Sequence, residues 1–197
     1  MFRPLVKIVL LIAAAISVPA AHASLIRLGT TLSGANENPM IVSPGTGSVE
    51  VDIDNVANLL SIHLVFSGLT SPTVFAHLHC CAPAPMNSGV ATAPFASFPL
   101  GTTNATYDSV NFDLTQLAFY NPPFVAANGG TAASAEAALL AGLLAGQSYF
   151  NIHTVNNRGG EVRGFLHAVP EPWSLSLLGI GLSAFGWSSR RKRGVPR

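Results

Sequence analysis

The chain has 197 residues, 49% of them hydrophobic and only 10% charged, and a formal net charge of +1. That length accommodates one compact domain with targeting segments at its ends. Between residues 24 and 169 there is no lysine, and three arginines stand against eight acidic residues, a net of −5; this excludes the basic footprint of a nucleic-acid-binding protein.

The N-terminus places Arg3 and Lys7 before an apolar run, Ile8–Ile16, and then the small-x-small pattern Ala21-His22-Ala23. Charge, short apolar core and small residues in that order predict a secretory signal peptide over 1–23, cut after Ala23 by signal peptidase. The other reading is a retained transmembrane helix, for which the run is too short.

Leu25 to Leu32 alternates in part and predicts a first strand. A turn-rich stretch follows from Ala35 to Pro44, and Asn36-Glu37-Asn38-Pro39 reads as a turn whose amide and carboxylate side chains bond their own backbone. Gly47 to Asp54 alternates strongly, with Val49, Val51 and Ile53 on one face. Asn58 to Phe66 repeats the pattern with Leu60, Ile62, Leu64 and Phe66, and the two segments predict a hairpin. His63, on the polar face of the second, reads as a solvated side chain. Val74 to Cys80 predicts a fourth strand. Residues 81 to about 130 contain Pro83, Pro85, Pro94, Pro99, Pro122 and Pro123, which break any long element; a short strand over Val110–Leu114 is the one piece that can be placed there.

Thr131 to Gly146 is predicted as the single helix, capped by Thr131 or Ser134, with Leu139, Leu140, Leu143 and Leu144 as its core stripe. Tyr149–Thr154 and Glu161–His167 then read as two strands around a turn at Asn156–Gly160. The sum is a mainly β fold, most simply a Greek-key β-sandwich with one helix.

The C-terminus reads Val169-Pro170-Glu171-Pro172, an uncharged stretch from Trp173 to Trp187, and the basic cluster Arg190–Arg193. Tryptophan at both ends and basic residues on one side predict a transmembrane helix over about 173–189, with its basic end (190–193) in the cytoplasm. A buried core helix is the other reading, and the adjoining basic cluster argues against it.

The tail as a whole, 169–197, resembles a PEP-CTERM sorting signal. The resemblance implies a Gram-negative bacterium and an exosortase-type transpeptidase acting near Pro170, Glu171 and Pro172. It implies tethering to the inner membrane before processing, then delivery to the cell envelope, cell surface or extracellular matrix. The working domain is then 24–168. LSGANENP (Leu32–Pro39), FSGLTSP (Phe66–Pro72), AHLH (Ala76–His79), AGLLAGQSYFNIH (Ala141–His153) and GGEVRG (Gly159–Gly164) together resemble a CHRD domain across about Leu28–Leu166. That resemblance implies a secreted or surface module with a binding or structural role, making contacts with matrix polysaccharide or surface proteins, rather than an enzyme.

His77 and His79 lie two apart on one strand and share a face, and His153 sits on a later strand. If those strands are neighbours, three neutral imidazoles converge, a donor set suited to copper or zinc. An acidic side chain would be expected to orient the second ring nitrogens, and the three nitrogens must lie within roughly 3–4 Å of one another to share an ion at bond lengths near 2 Å. The other reading is a hydrogen-bonded polar layer. Gly68-Leu69-Thr70, the H-x-H pair, His153 and Gly159-Gly160 are also similar to the copper half of copper–zinc superoxide dismutases. No histidine between Ala82 and Gly130 supplies that family's bridging or zinc ligands, and His63 precedes the pair. Cys80 and Cys81 can form a vicinal disulfide, remain thiols, bridge to another chain or ligate metal. Glu161 and Arg163 share a strand face and can form a salt bridge or a binding pair, an exposed pair contributing roughly 0–1 kcal/mol.

Overall fold

The computed structural model describes residues 25–169. The predicted signal segment with Ala23, the tail with Pro170, Glu171 and Pro172, and the predicted helix at 173–189 lie outside the described residues. Among the described residues no helix is long and apolar enough to cross a membrane.

The fold is mainly β, as the alternation predicts. Among the described residues nine antiparallel strands follow in chain order: β1 (Leu25–Ser33), β2 (Thr46–Asp54), β3 (Leu59–Ser67), β4 (Thr73–Cys80), β5 (Ala105–Asp108), β6 (Phe112–Asp113), β7 (Ser148–Thr154), β8 (Val162–Phe165) and β9 (His167–Ala168). The main path runs β4-β7-β8-β1-β2-β3-β5, with β6 on β3 and β9 on β1. In place of the two separate sheets of a sandwich, the ladder is continuous: β1 pairs with β2 along its whole length and also reaches β8 at Ser33↔Arg163 and β9 at Leu28↔Ala168. The sheet curls around one core.

The side-chain period of two decides what enters that core. Val49, Val51 and Ile53 of β2 and Leu60, Ile62, Leu64 and Phe66 of β3 are all buried, and the hairpin register pairs them directly, Val51 with Ile62 and Val49 with Leu64. Ala76 and Leu78 of β4, Phe150 and Ile152 of β7, and Val162 join them.

Among the described residues there are two α-helices where the sequence predicts one: α1 (Pro122–Ala127) and α2 (Ala132–Leu144). Two of the prolines that read as breakers, Pro122 and Pro123, occupy the first turn of α1, where a missing N–H costs nothing. Thr131 caps α2, and Ser134 returns the bond, so both candidate caps serve one capping box. Leu139 and Leu143 are core, whereas Leu144 of the expected stripe is 59% exposed. The proline-rich stretch is ordered by aromatic residues, with Phe95 stacked on Phe150 and Phe98 on Phe66. His63 is exposed, and its ring contacts the Asp108 carboxylate across the β3–β5 pair rather than water alone.

At Gly164, β8 passes close to the backbone of β1. A Cβ there would overlap the Thr31 carbonyl oxygen and sit 2.8 Å from Thr30 Oγ1. Gly164→Ala is therefore expected to cost about 1–3 kcal/mol of stability, the range for overpacking. Urea denaturation checks this, and an unchanged midpoint would contradict it.

Candidate metal centre

On β4, β7 and β8 both faces of the sheet are buried. One face belongs to the apolar core. The other carries Phe75, His77 and His79 from β4, Tyr149, Asn151 and His153 from β7, and Arg163 and Phe165 from β8. The register aligns them in cross-strand rows, His77↔Asn151↔Arg163 and His79↔Tyr149↔Phe165, with Phe75↔His153 beyond. Loops 34–45 and 81–90 cover this face.

The three candidate histidines therefore converge. Each offers one ring nitrogen, and these atoms all lie within 4.8 Å of one another. That separation is slightly wider than the 3–4 Å that sharing one ion requires. The rings are 4–7% exposed, with centroids 4.8 Å apart for His77–His153 and 5.7–5.8 Å for the other two pairs. His79 Nδ1 lies 3.0 Å from the Ser88 carbonyl and His153 Nδ1 lies 2.8 Å from the Arg158 carbonyl. A carbonyl oxygen only accepts, so both Nδ1 atoms carry the proton and both Nε2 atoms keep a lone pair. Those Nε2 atoms, and Nδ1 of His77, are buried without a hydrogen-bond partner. Three orphaned acceptor-capable nitrogens on three neighbouring rings fit a borderline-soft ion such as copper or zinc. Backbone carbonyls, rather than the acidic side chains expected, orient the second nitrogens.

Aromatic residues close the site. Phe75 packs on His77 and His153 at 5.0 and 4.8 Å. Tyr149 stacks on His79 at 4.6 Å and nearly parallel, and the Arg163 guanidinium lies over the other side of Tyr149 at 4.6 Å. Burial holds the His77 imidazole down to about 3, with His153 and His79 adding to the effect. Burial also holds His79 down to about 4, against the Ser88 carbonyl, and holds His153 below its ordinary value. The rings are thus neutral, the form that ligates metal.

Glu161 and Arg163 do not pair with each other. Arg163 is 1% exposed, and its guanidinium donates to Asn36 O (2.6 Å), Asn87 Oδ1 (2.6 Å) and Pro85 O (2.9 Å), tying down both covering loops. Its acidic neighbour is Glu37, at 3.7 Å. The reason is local: a single-turn 3-10 helix at Gly34–Asn36 carries Glu37 inward instead of leaving it in a solvated turn. Burial pushes the Glu37 carboxyl up to about 7, against the lowering effect of Arg163. Glu161, fully buried, accepts from Ser43, Thr70 and Thr154. Cys80 and Cys81 form a vicinal disulfide at the end of β4.

Neighbours absent from the sequence reading are Phe75, Tyr149 and Asn151. Alternation from His77 and His153 marks all three, since Phe75 and Asn151 lie two residues and Tyr149 four residues from a candidate ligand.

These values set a pH dependence for the metal-free protein. A base held below its ordinary value binds fewer protons folded than unfolded. The stability such a group supports is full above about pH 6.5 and drains as pH falls toward the folded value. Glu37 acts oppositely, favouring the folded state as pH falls from about 7 to 4.5. Three imidazoles outweigh one carboxyl, so the urea midpoint is expected to fall between pH 6.5 and 5; a flat or rising midpoint would contradict this.

Comparison with known families gives two matches. The CHRD domain matches residues 28–166, and the PEP-CTERM protein-sorting motif matches residues 168–192. No curated protein and no solved structure matches the chain. The sorting motif marks an exported protein of a Gram-negative bacterium, anchored in the membrane and then processed by an exosortase-type system.

Proposed function

This chain belongs to the CHRD domain family, and from that premise we propose that its domain is an exported metal-binding module holding copper or zinc at His77, His79 and His153. The observation that carries this reading is the set of orphaned nitrogens: His77 Nδ1, His79 Nε2 and His153 Nε2, each buried and each without a partner. Burying such a group unpaired costs about 1–3 kcal/mol, and an ion would satisfy all three once the nitrogens draw within the roughly 3–4 Å that a shared ion requires. When bound, copper or zinc supplies a Lewis-acid centre. The chain's own part is to fix two tautomers through Ser88 and Arg158 and to exclude water with Phe75 and Tyr149. A signal peptide cut after Ala23, a transmembrane helix at about 173–189 and final placement at the cell surface or in the matrix complete the proposal.

A second reading, contact with matrix polysaccharide or a surface protein, is favoured by an open cleft of about 380 Å³ beside Thr31, Asn36, Glu37, Phe165 and His167. The two readings are compatible, since none of the three histidines lines that cleft.

The test is elemental analysis of the exported protein beside a His77→Ala/His79→Ala variant. Near-stoichiometric copper or zinc, lost in the variant, is expected. No bound metal after loading with each ion would sink the metal reading and leave the binding module.

A further inference from the structure

A disulfide stabilises chiefly by closing a loop, and the effect grows with loop length. Cys80 and Cys81 are neighbours in the chain, so their bond staples no two elements together. Cys80 is buried in the core, 5% exposed, while Cys81 lies at the surface. The pair forms part of the wall of an open cleft of about 420 Å³, with Gly89, Val90, Asn121 and Phe124 around it. An accessible disulfide with no stapling role has the character of a reactive one.

Its position gives that reactivity a target. Cys80 follows His79 directly, and Cys81 begins the loop that covers the histidine face. Within that loop the Ser88 carbonyl orients His79, and Pro85 and Asn87 hold Arg163. Bonds from Cys80 N to Gly89 O and from Ala82 N to Gln147 O fix its two ends.

We infer that Cys80–Cys81 is a thiol–disulfide exchange site for an external dithiol of the thioredoxin class, and that its redox state sets the order of the 81–90 loop. The dithiol's thiolate attacks Sγ of the exposed residue Cys81 from the cleft side, forming a mixed disulfide and releasing Cys80 as a thiolate, which takes up a proton. The dithiol's second thiolate then attacks its own sulfur in the mixed disulfide and releases Cys81 as a thiolate, which is also protonated. The dithiol is oxidised to a disulfide, and this protein gains two electrons and two protons. Two thiols cannot stay at bonding distance: about 2 Å must open to a contact nearer 3.5–4 Å. Helix α2 blocks one direction. A Cβ at Gly142 would collide with Cys80 Sγ and lie 2.7 Å from Cys81 Sγ, so the helix backbone already touches both sulfurs. The movement therefore falls on Cys81 and the loop it begins. A consequence that rests on the metal reading is weaker binding in the reduced state, by about 10–100-fold, the effect of losing an outer-shell partner.

The test uses the exported protein, metal-free, with reduced thioredoxin in excess. Alkylatable thiols are counted by mass, and amide hydrogen exchange is followed over residues 80–91. Two thiols in the folded protein, with faster exchange at Ala82 and Ala91 than in the oxidised form, are expected. A Cys80→Ser/Cys81→Ser variant should exchange like the reduced protein without reductant. Thiols that appear only after denaturation would overturn the proposal, as would two native thiols with unchanged exchange. Zinc and copper affinities are then measured in both states. An ordered-to-loosened loop with neither ion bound in either state would contradict the three-histidine reading alone and leave the exchange site standing.

Discussion

Replacing Glu161 with alanine is expected to lower the unfolding free energy by about 3 kcal/mol or more. Its carboxylate is fully buried, and the four bonds it accepts come from three separate parts of the chain. Oε1 accepts from Ser43 Oγ at 2.7 Å and Thr70 N at 2.6 Å; Oε2 accepts from Thr154 Oγ1 at 2.7 Å and Asn157 Nδ2 at 3.3 Å. One side chain thereby ties loop 34–45 and the 68–72 loop to the end of β7. Hydrogen bonds to a charged group contribute about 1.5–3 kcal/mol each, and donors left buried without a partner add their own cost. Burial alone would raise this carboxyl, but the Ser43, Thr70 and Thr154 donors together hold it below its ordinary range. An acid held low supports stability that is present above about pH 4.5 and lost as pH falls through the folded value. The difference between wild type and Glu161→Ala in urea denaturation should therefore be large at pH 7 and shrink at pH 3. A difference under about 1 kcal/mol at pH 7 would contradict this account of the carboxylate.

The second large effect concerns His153. His153→Ala is expected to reduce copper or zinc affinity by more than about 100-fold, since loss of an outer-shell partner alone costs about 10–100-fold. Stability of the metal-free protein should change far less in proportion. The substitution removes an orphaned buried nitrogen along with the ring; the Arg158 carbonyl loses a hydrogen bond and Phe75 a ring contact. Competition titration with a chelator measures the first quantity and urea denaturation the second. Equal affinity in variant and wild type would remove His153 from the ligand set.

The hairpin β2–β3 was legible because its alternation is strict and one face is buried: Val49, Val51 and Ile53 could face only one way. The histidine cluster was half legible. Two-residue spacing put His77 and His79 on one face, but no local signal states that β4 and β7 are neighbours, because 67 residues of chain lie between Cys80 and Ser148. Non-local pairing also explains the Arg163 error. Along β8 Arg163 shares a face with Glu161, and the sequence pairs what is near in sequence. In the fold its acidic neighbour, Glu37, arrives from the turn that follows β1, far away in sequence. The proline-rich stretch gave up only one short strand because its order comes from rings stacked across the core, such as Phe95 on Phe150, and not from periodicity.

The central claim is that three buried imidazoles hold one ion, and the most direct measurement is a crystal structure of the exported protein loaded with zinc. The account predicts a single ion bonded to His77 Nδ1, His79 Nε2 and His153 Nε2 at about 2.0–2.1 Å, with Ser88 and Arg158 still accepting from the opposite nitrogens. An ion bound elsewhere, or three rings that stay 4–5 Å apart with no ion among them, would contradict it.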